Sequence, residues 1–120
     1  MEKSLIIIPA RGGSKEVPRK NLRLLNNKPL IYYAIKSAKM VNFEADIFIS
    51  SDDEEILQVA KYYGNNILKR GKRYSQDKTT LDEVIYDACF KIEKKNRFAI
   101  LTIFYVQTNK PFLNHKWFNL

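Results

Sequence analysis

Apolar residues fall in short blocks separated by polar punctuation, and two kinds of block alternate along the chain. Residues 5–8 (Leu5, Ile6, Ile7, Ile8) form an unbroken apolar run that stops at Pro9 and at the pair Gly12 and Gly13. A run this short, bounded by turn formers, predicts a parallel strand buried on both faces that feeds a loop. Pro18 keeps that loop from becoming helix and pushes Val17 toward extended geometry. Pro29 is expected in the first turn of a helix, with Leu30, Ala34, Ser37 and Ala38 at helical spacing and Tyr33 beside them. A second strand is expected over residues 46–49, closed by Ser50 and Ser51. Asp52, Asp53, Glu54 and Glu55 then stand where a helix should begin, since negative charge suits the positive end of the helix dipole. Ile56, Val59 and Ala60 give this helix its apolar face, and Gly64 ends it. A short third strand over 66–68 and a polar loop over 70–78 follow. Thr79 or Thr80 can cap a third helix with Leu81, Val84, Ile85, Ala88, Cys89 and Ile92 inward. Residues 99–106 supply a fourth strand, and residues 109–120 show no periodicity and predict no clear element.

Strands that alternate with helices predict an α/β fold, a three-layer α/β/α unit with a mainly parallel sheet. At 120 residues the chain is one domain at most. A hydrophobic content of 45% excludes a disordered tail. The single cysteine, Cys89, excludes an intramolecular disulfide. It falls on the apolar face of the third helix, as a core residue and not a nucleophile. The opening residues do not resemble a signal peptide and no run approaches a membrane span, so the cytoplasm is the expected compartment and no membrane partner is expected.

The net charge of +8, from 21 basic and 13 acidic residues, fits a solvated basic surface, a small polyanion or nucleic acid. The loop from Pro9 to Asn21 narrows this choice. It carries Arg11, Lys15, Arg19 and Lys20 around Gly12, Gly13 and Ser14, and it follows a strand, where open α/β sheets bind ligands. Backbone amides and Ser14 can donate to a triphosphate while the cations balance its charge. The spacing fits neither a Walker A loop nor a dinucleotide fingerprint. Two further possibilities stay open on residue types alone: an ordinary basic loop and a nucleic-acid contact, the latter without aromatic residues on which bases could stack.

The text IIPARGGSK, followed by PRKN and KPLI, resembles the signature of the cytidylyltransferases that act on sialic, legionaminic and pseudaminic acids. SSDDEEI from Ser50 and SQDKTTLDEVIYDA from Ser75 are also similar to this family, so the likeness runs from about Ser4 to Ile92. The related deoxy-manno-octulosonate enzymes share the architecture with a different form of the loop. The resemblance implies a Rossmann-like nucleotide-diphospho-sugar transferase fold, with residues 1–106 as its nucleotide-binding part and 107–120 as a divergent tail. It implies transfer of CMP from CTP to a nine-carbon sugar acid with release of pyrophosphate. Arg11 and Lys20 match the cations that contact phosphate and stabilise the transferred group, a role that suits fixed donors. Gly12, Gly13 and Ser14 match the wrapping backbone, with Lys15 in the same loop. Asn21 matches a residue near the nucleotide, Arg70 one that lies against the cytosine, and Thr80, with Thr79 as the adjacent alternative, a hydroxyl that reads the base. Gln107 matches a glutamine after the fourth strand, although YVQTNKPFL lacks the proline expected next.

The family continues for about as much chain again, with the sugar-acid pocket, the dimer-forming element and an aspartate pair for Mg2+. The resemblance therefore implies CTP and a sugar acid as substrates and a homodimeric full-length enzyme. For these 120 residues it implies nucleotide binding without useful turnover, no proper dimer and no metal ligands, with truncation or frameshift as the expected cause. Asp52 and Asp53 are read as a helix start beside the nucleoside and not as a metal pair. Arg70 as a solvated arginine, Thr79 and Thr80 as mere caps and His115 as a surface residue are the plainer alternatives. A nucleotide-binding module without catalysis and a basic nucleic-acid binder compete with the enzyme as functions, the second disfavoured.

Overall fold

The computed structural model describes residues 2–13, 20–71, 75–76, 78–96, 99–108 and 110–116, by backbone alone at 2–3, 96, 99–101 and 110–116. The apolar run becomes strand β1 (Glu2–Pro9), and the chain continues through β2 (Leu24–Leu25), β3 (Lys28–Pro29) and α1 (Leu30–Lys39). It then alternates through β4 (Asp46–Ser51), α2 (Glu54–Tyr62), β5 (Asn66–Lys69), α3 (Leu81–Asn96), β6 (Ala99–Gln107) and β7 (Lys110–Lys116).

Five strands form one sheet in the order β5-β4-β1-β6-β7. β1 pairs in parallel with β4 and with β6, and β4 in parallel with β5. The chain leaves β1 toward one edge through β4 and β5, then returns across the sheet to place β6 on the other side of β1. That reversal makes the β1–β6 junction a topological switch point, where a crevice opens beyond the carboxyl ends of the strands.

Helices cover both faces, as the strand–helix alternation predicts. Ile6, Ile8 and Ala10 pack with Ile31, Ala34, Ile35 and Ala38 of α1 and with Ile56 and Ala60 of α2. Leu5 and Ile7, with side chains on the opposite face, pack with Ile85, Ala88, Cys89 and Ile92 of α3. Leu5 to Ile8 are all fully buried, and each such side chain contributes about 1.5–3 kcal/mol. This is why β1 has no polar face in its sequence. Burial, reinforced by Glu93, pushes the Cys89 thiol up to about 12, so it stays protonated as a core side chain.

Three expectations need correction. Pro29 is not in a helical turn: its backbone is extended at φ −64 and ψ 150, and α1 begins after it. It pairs with Leu24 in a small hairpin whose turn, Asn26 and Asn27, has φ of 50 and 66. Two successive left-handed residues make the tight turn that suits twisted strands, and asparagine tolerates that conformation. The buried face of α1 is also rotated, with Ile31 and Ile35 inside, while Leu30 and Ser37 are half-buried. Finally, residues 110–116 are not structureless, because β7 pairs antiparallel with β6 at the sheet edge. An edge strand tolerates a proline such as Pro111, which removed the usual strand signal from this stretch. Trp117 and Phe118, and the side chain of His115, lie outside the described residues. Gly64, with φ of 82, ends α2 in the left-handed geometry its sequence position predicts.

Candidate functional site at the switch point

The carboxyl ends of four strands bring the candidate residues together. β1 delivers Arg11 to Gly13, β4 delivers Ser50 to Asp52, β5 leads into Arg70, and β6 ends at Gln107 and Thr108. The backbone is knitted here: the Ala10 amide donates to the Ser50 carbonyl (2.8 Å) and the Arg70 amide to the Ser51 carbonyl (2.7 Å).

Two adjoining cavities open at this edge. The smaller, about 140 Å³, is lined by Pro9, Arg11, Gly13, Lys20, Asn21 and Thr108. The larger, about 250 Å³, has Arg11, Arg70, Gln76, Thr79, Gln107 and Thr108 in its wall. Arg11 and Thr108 border both, so the two form one elongated crevice. Each part has two cations in its wall, Arg11 with Lys20 in the smaller and Arg11 with Arg70 in the larger, and the larger adds Gln76, Thr79 and Gln107 as neutral donors and acceptors.

Arg70 is buried at 4% exposure, which is unusual for an arginine. Its Nε donates to Ser50 Oγ (3.2 Å) and its Nη2 to the Ser50 carbonyl (2.9 Å). Burial lowers its proton affinity and the like charge of Arg11 adds to this, while Asp52 and Asp87 oppose both. The guanidinium is therefore a fixed fork at the cavity wall and not a solvated surface group.

Asn21 is also buried. Its Nδ2 donates to the Arg11 carbonyl (2.9 Å), which fixes the amide orientation. Its Oδ1 is left buried with no partner among the described residues, in a residue that lines the smaller cavity. A buried acceptor without a donor costs about 1–3 kcal/mol, so this position suits a ligand that brings a hydroxyl.

Gly12 is closely packed. A Cβ there would fall 2.6 Å from Asp53 Cβ, and the Gly12 amide donates to Asp52 Oδ1 (2.9 Å). That amide is engaged within the chain, which differs from the expected phosphate-wrapping role. Ser14 and Lys15 lie outside the described residues.

Thr80 sits elsewhere. Its hydroxyl accepts from the Glu83 amide (3.2 Å) while Glu83 Oε1 accepts from the Thr80 amide (3.3 Å) and hydroxyl (3.0 Å). This is a capping box at the start of α3, on an exposed residue that lines neither cavity. Thr79, one position earlier, lines the larger cavity. Thr80→Ala is expected to cost about 1 kcal/mol of stability and to leave nucleotide preference unchanged, as urea unfolding and calorimetry would measure. A change of preference without loss of stability would restore Thr80 to the site.

Two wall residues escaped the sequence reading. Thr108 is 7% exposed and borders both cavities, and Gln76 lies in an undifferentiated polar stretch. The position of Thr108, just past a strand at a sheet reversal, is the signal that could have found it.

Among the described residues no group of three His, Cys, Asp or Glu side chains could hold a metal ion. The adjacent pair is engaged as well: Asp52 accepts from Gly12, and Asp53 caps α2 by accepting from the Glu55 amide (2.9 Å). The described residues therefore do not fit the magnesium ion that the resemblance implies. Among them, too, no helix is long and apolar enough to cross a membrane.

Known proteins resemble this chain in sequence and in fold. A pseudaminic acid cytidylyltransferase of Campylobacter jejuni is 42% identical over 96 residues, covering 79% of this chain and 41% of that protein. A CMP-N,N'-diacetyllegionaminic acid synthase of Legionella pneumophila is 34% identical over 109 residues, covering 90% of this chain and 47% of that one. The chain thus spans less than half the length of these curated relatives. A CMP:2-keto-3-deoxy-manno-octonic acid synthetase solved with CTP shares the fold, with a TM-score of 0.70 at 24% identity over 91% of this chain and 41% of its own. The family model described as Cytidylyltransferase matches residues 5–119, the last strand included, and the chain belongs to that family.

Proposed function

We propose that this chain supplies the nucleotide half of a transferase that moves CMP from CTP to a nine-carbon sugar acid of the sialic, legionaminic or pseudaminic type. The observation that carries the proposal is the convergence of Arg11, Lys20 and Arg70 on one crevice at the switch point. The smaller cavity suits the triphosphate, where Arg11 and Lys20 offset its charge. The larger suits the cytosine, with Arg70, Thr79 and Gln107 as donors and acceptors to its edge. Asn21 Oδ1, on the smaller-cavity side, would accept from a ribose hydroxyl. The relatives' names support the acceptor class.

In the proposed reaction the sugar acid's anomeric hydroxyl oxygen bonds to the α-phosphorus. The bond from that phosphorus to the bridging oxygen breaks, pyrophosphate leaves with the electron pair, and the hydroxyl proton passes to solvent or a base. Arg11 and Lys20 would hold the negative charge that builds on the phosphoryl oxygens. The magnesium of the resemblance has no ligand set among the described residues, so no step is routed through it.

Calorimetry with CTP, UTP, ATP and GTP tests the nucleotide half. CTP is expected to bind most tightly, and equal affinities would remove the case for base reading. Pyrophosphate release tests the other half. With CTP, magnesium and each sugar acid, the 120 residues alone are expected to show no sugar-dependent turnover near that of a chain of the relatives' length. Orienting two reactants is worth roughly 7–11 kcal/mol, and nothing assigned here grips the acid. Turnover at the longer chain's rate would refute this division.

A further inference from the structure

Asp52 is an unexpected neighbour for a loop that receives phosphate. A carboxylate there opposes the incoming charge, so its presence calls for a role that outweighs the repulsion. Two contacts tie the β4 exit to the β1 loop, 40 residues away in sequence. Asp52 Oδ1 accepts from the Gly12 amide at 2.9 Å, and Asp53 Cβ lies where a Gly12 side chain would begin. Asp53 is itself held as the N-cap of α2, and Ser51 Oγ accepts from the Asp53 amide (3.0 Å). The acidic pair is thus anchored to a helix and a central strand before it touches the loop.

We propose that Asp52 is a positioning residue for the phosphate-binding loop: by holding the Gly12 amide it sets where Arg11 and Gly13 stand relative to Arg70 across the crevice. The proposal rests on the nucleotide-binding reading above. The charge of Asp52 serves the same end. Arg11 and Arg70 repel one another, and Asp52 opposes that repulsion at Arg70. Asp52 therefore favours the two guanidiniums sharing the wall of one crevice. A side chain whose amide oxygen replaces the carboxylate oxygen keeps the first function and gives up the second.

The test compares Asp52→Ala and Asp52→Asn in the full 120-residue chain. The readouts are Gly12 amide hydrogen exchange and calorimetry with CTP, inorganic triphosphate and cytidine. Losing a hydrogen bond to a charged acceptor is expected to speed Gly12 exchange about tenfold in Asp52→Ala and to weaken CTP and triphosphate together by about tenfold. Cytidine, which has no phosphate, is expected to bind as before. Asp52→Asn keeps an acceptor and is expected to stay within about threefold of the parent in Gly12 exchange. A merely structural aspartate would weaken cytidine and triphosphate alike. Unchanged Gly12 exchange in Asp52→Ala, or triphosphate binding as tight as the parent's, would overturn the proposal. Should Asp52→Ala fail to fold, Gly12 exchange in Asp52→Asn faster than the parent's by well over about threefold would overturn it as well. If the parent binds no nucleotide, the functional reading fails, while the exchange comparison still decides whether Asp52 holds the loop.

Discussion

Gly12→Ala is expected to destabilise the chain by about 1–3 kcal/mol through overpacking and to weaken every nucleoside triphosphate, while Gly13→Ala leaves stability within about 0.5 kcal/mol. The two glycines are adjacent, yet their surroundings differ. A methyl on Gly12 would lie 2.6 Å from both Cβ and Oδ2 of Asp53 and 3.0 Å from its Cγ. Side-chain rotation can move the carboxylate but not Asp53 Cβ, which the backbone fixes. That backbone is in turn fixed at the start of α2, where Asp53 accepts from the Glu55 amide. The loop must therefore yield, and its shift breaks the 2.9 Å bond from the Gly12 amide to Asp52. A methyl on Gly13 meets nothing within 4 Å among the described residues. Neither glycine needs left-handed backbone, so the asymmetry tests close approach alone. Urea unfolding and triphosphate titration of the two variants would check it, and equal losses at both positions would refute the packing described here.

The asymmetry also shows where a sequence stops being informative. The glycine pair signals a loop that needs small residues, but which glycine is packed depends on a chain segment 40 residues away. No local pattern reports that approach. The same limit hid Thr108, whose place comes from sharing cavity walls with Pro9 and Arg11 and not from its neighbours in sequence. What depends on periodicity was legible. The all-apolar text of residues 5–8 predicted a strand buried on both faces, and the face of α3 was read nearly residue for residue, whereas on α2 Leu57 is buried and the expected Val59 is only half-buried. Failures came where two signals competed. Pro29 before Leu30 looked like a helix start, and that masked the hairpin turn made by Asn26 and Asn27. In residues 110–116, Pro111 and the lack of alternation hid an edge strand whose pairing is supplied by β6. At the site, Arg11 and Lys20 could be named from residue type and place, while Arg70 came from the family resemblance, and all three line the crevice. The split between Thr79 and Thr80 could not be read, because a one-residue shift decides which threonine caps α3 and which lines the cavity.

Arg70→Lys is expected to abolish the preference for CTP over the other three nucleotides while leaving their phosphate-driven binding in place. In the parent, Nε and Nη2 both donate to Ser50, so the guanidinium plane is held at the wall of the larger cavity. Lysine keeps the charge but offers a point donor on a flexible stem, with no planar fork to hold against a base. Hydrogen bonds from a charged donor are worth about 1.5–3 kcal/mol, so a CTP preference of roughly tenfold or more should collapse toward unity. Arg70→Ala is expected to do the same and to cost about 1–3 kcal/mol of stability as well. The Ser50 hydroxyl then loses its buried partner, although the Ser50 carbonyl keeps the Ala10 amide. Lys20→Ala is the contrasting case. It lies in the smaller cavity and faces the part common to all four nucleotides, so their affinities should fall in parallel with the CTP ratio unchanged. Four-nucleotide calorimetry on the parent and the three variants separates base reading from charge neutralisation. If Arg70→Lys retained the CTP ratio, or Lys20→Ala changed it, the division of the crevice into a phosphate end and a base end would be wrong.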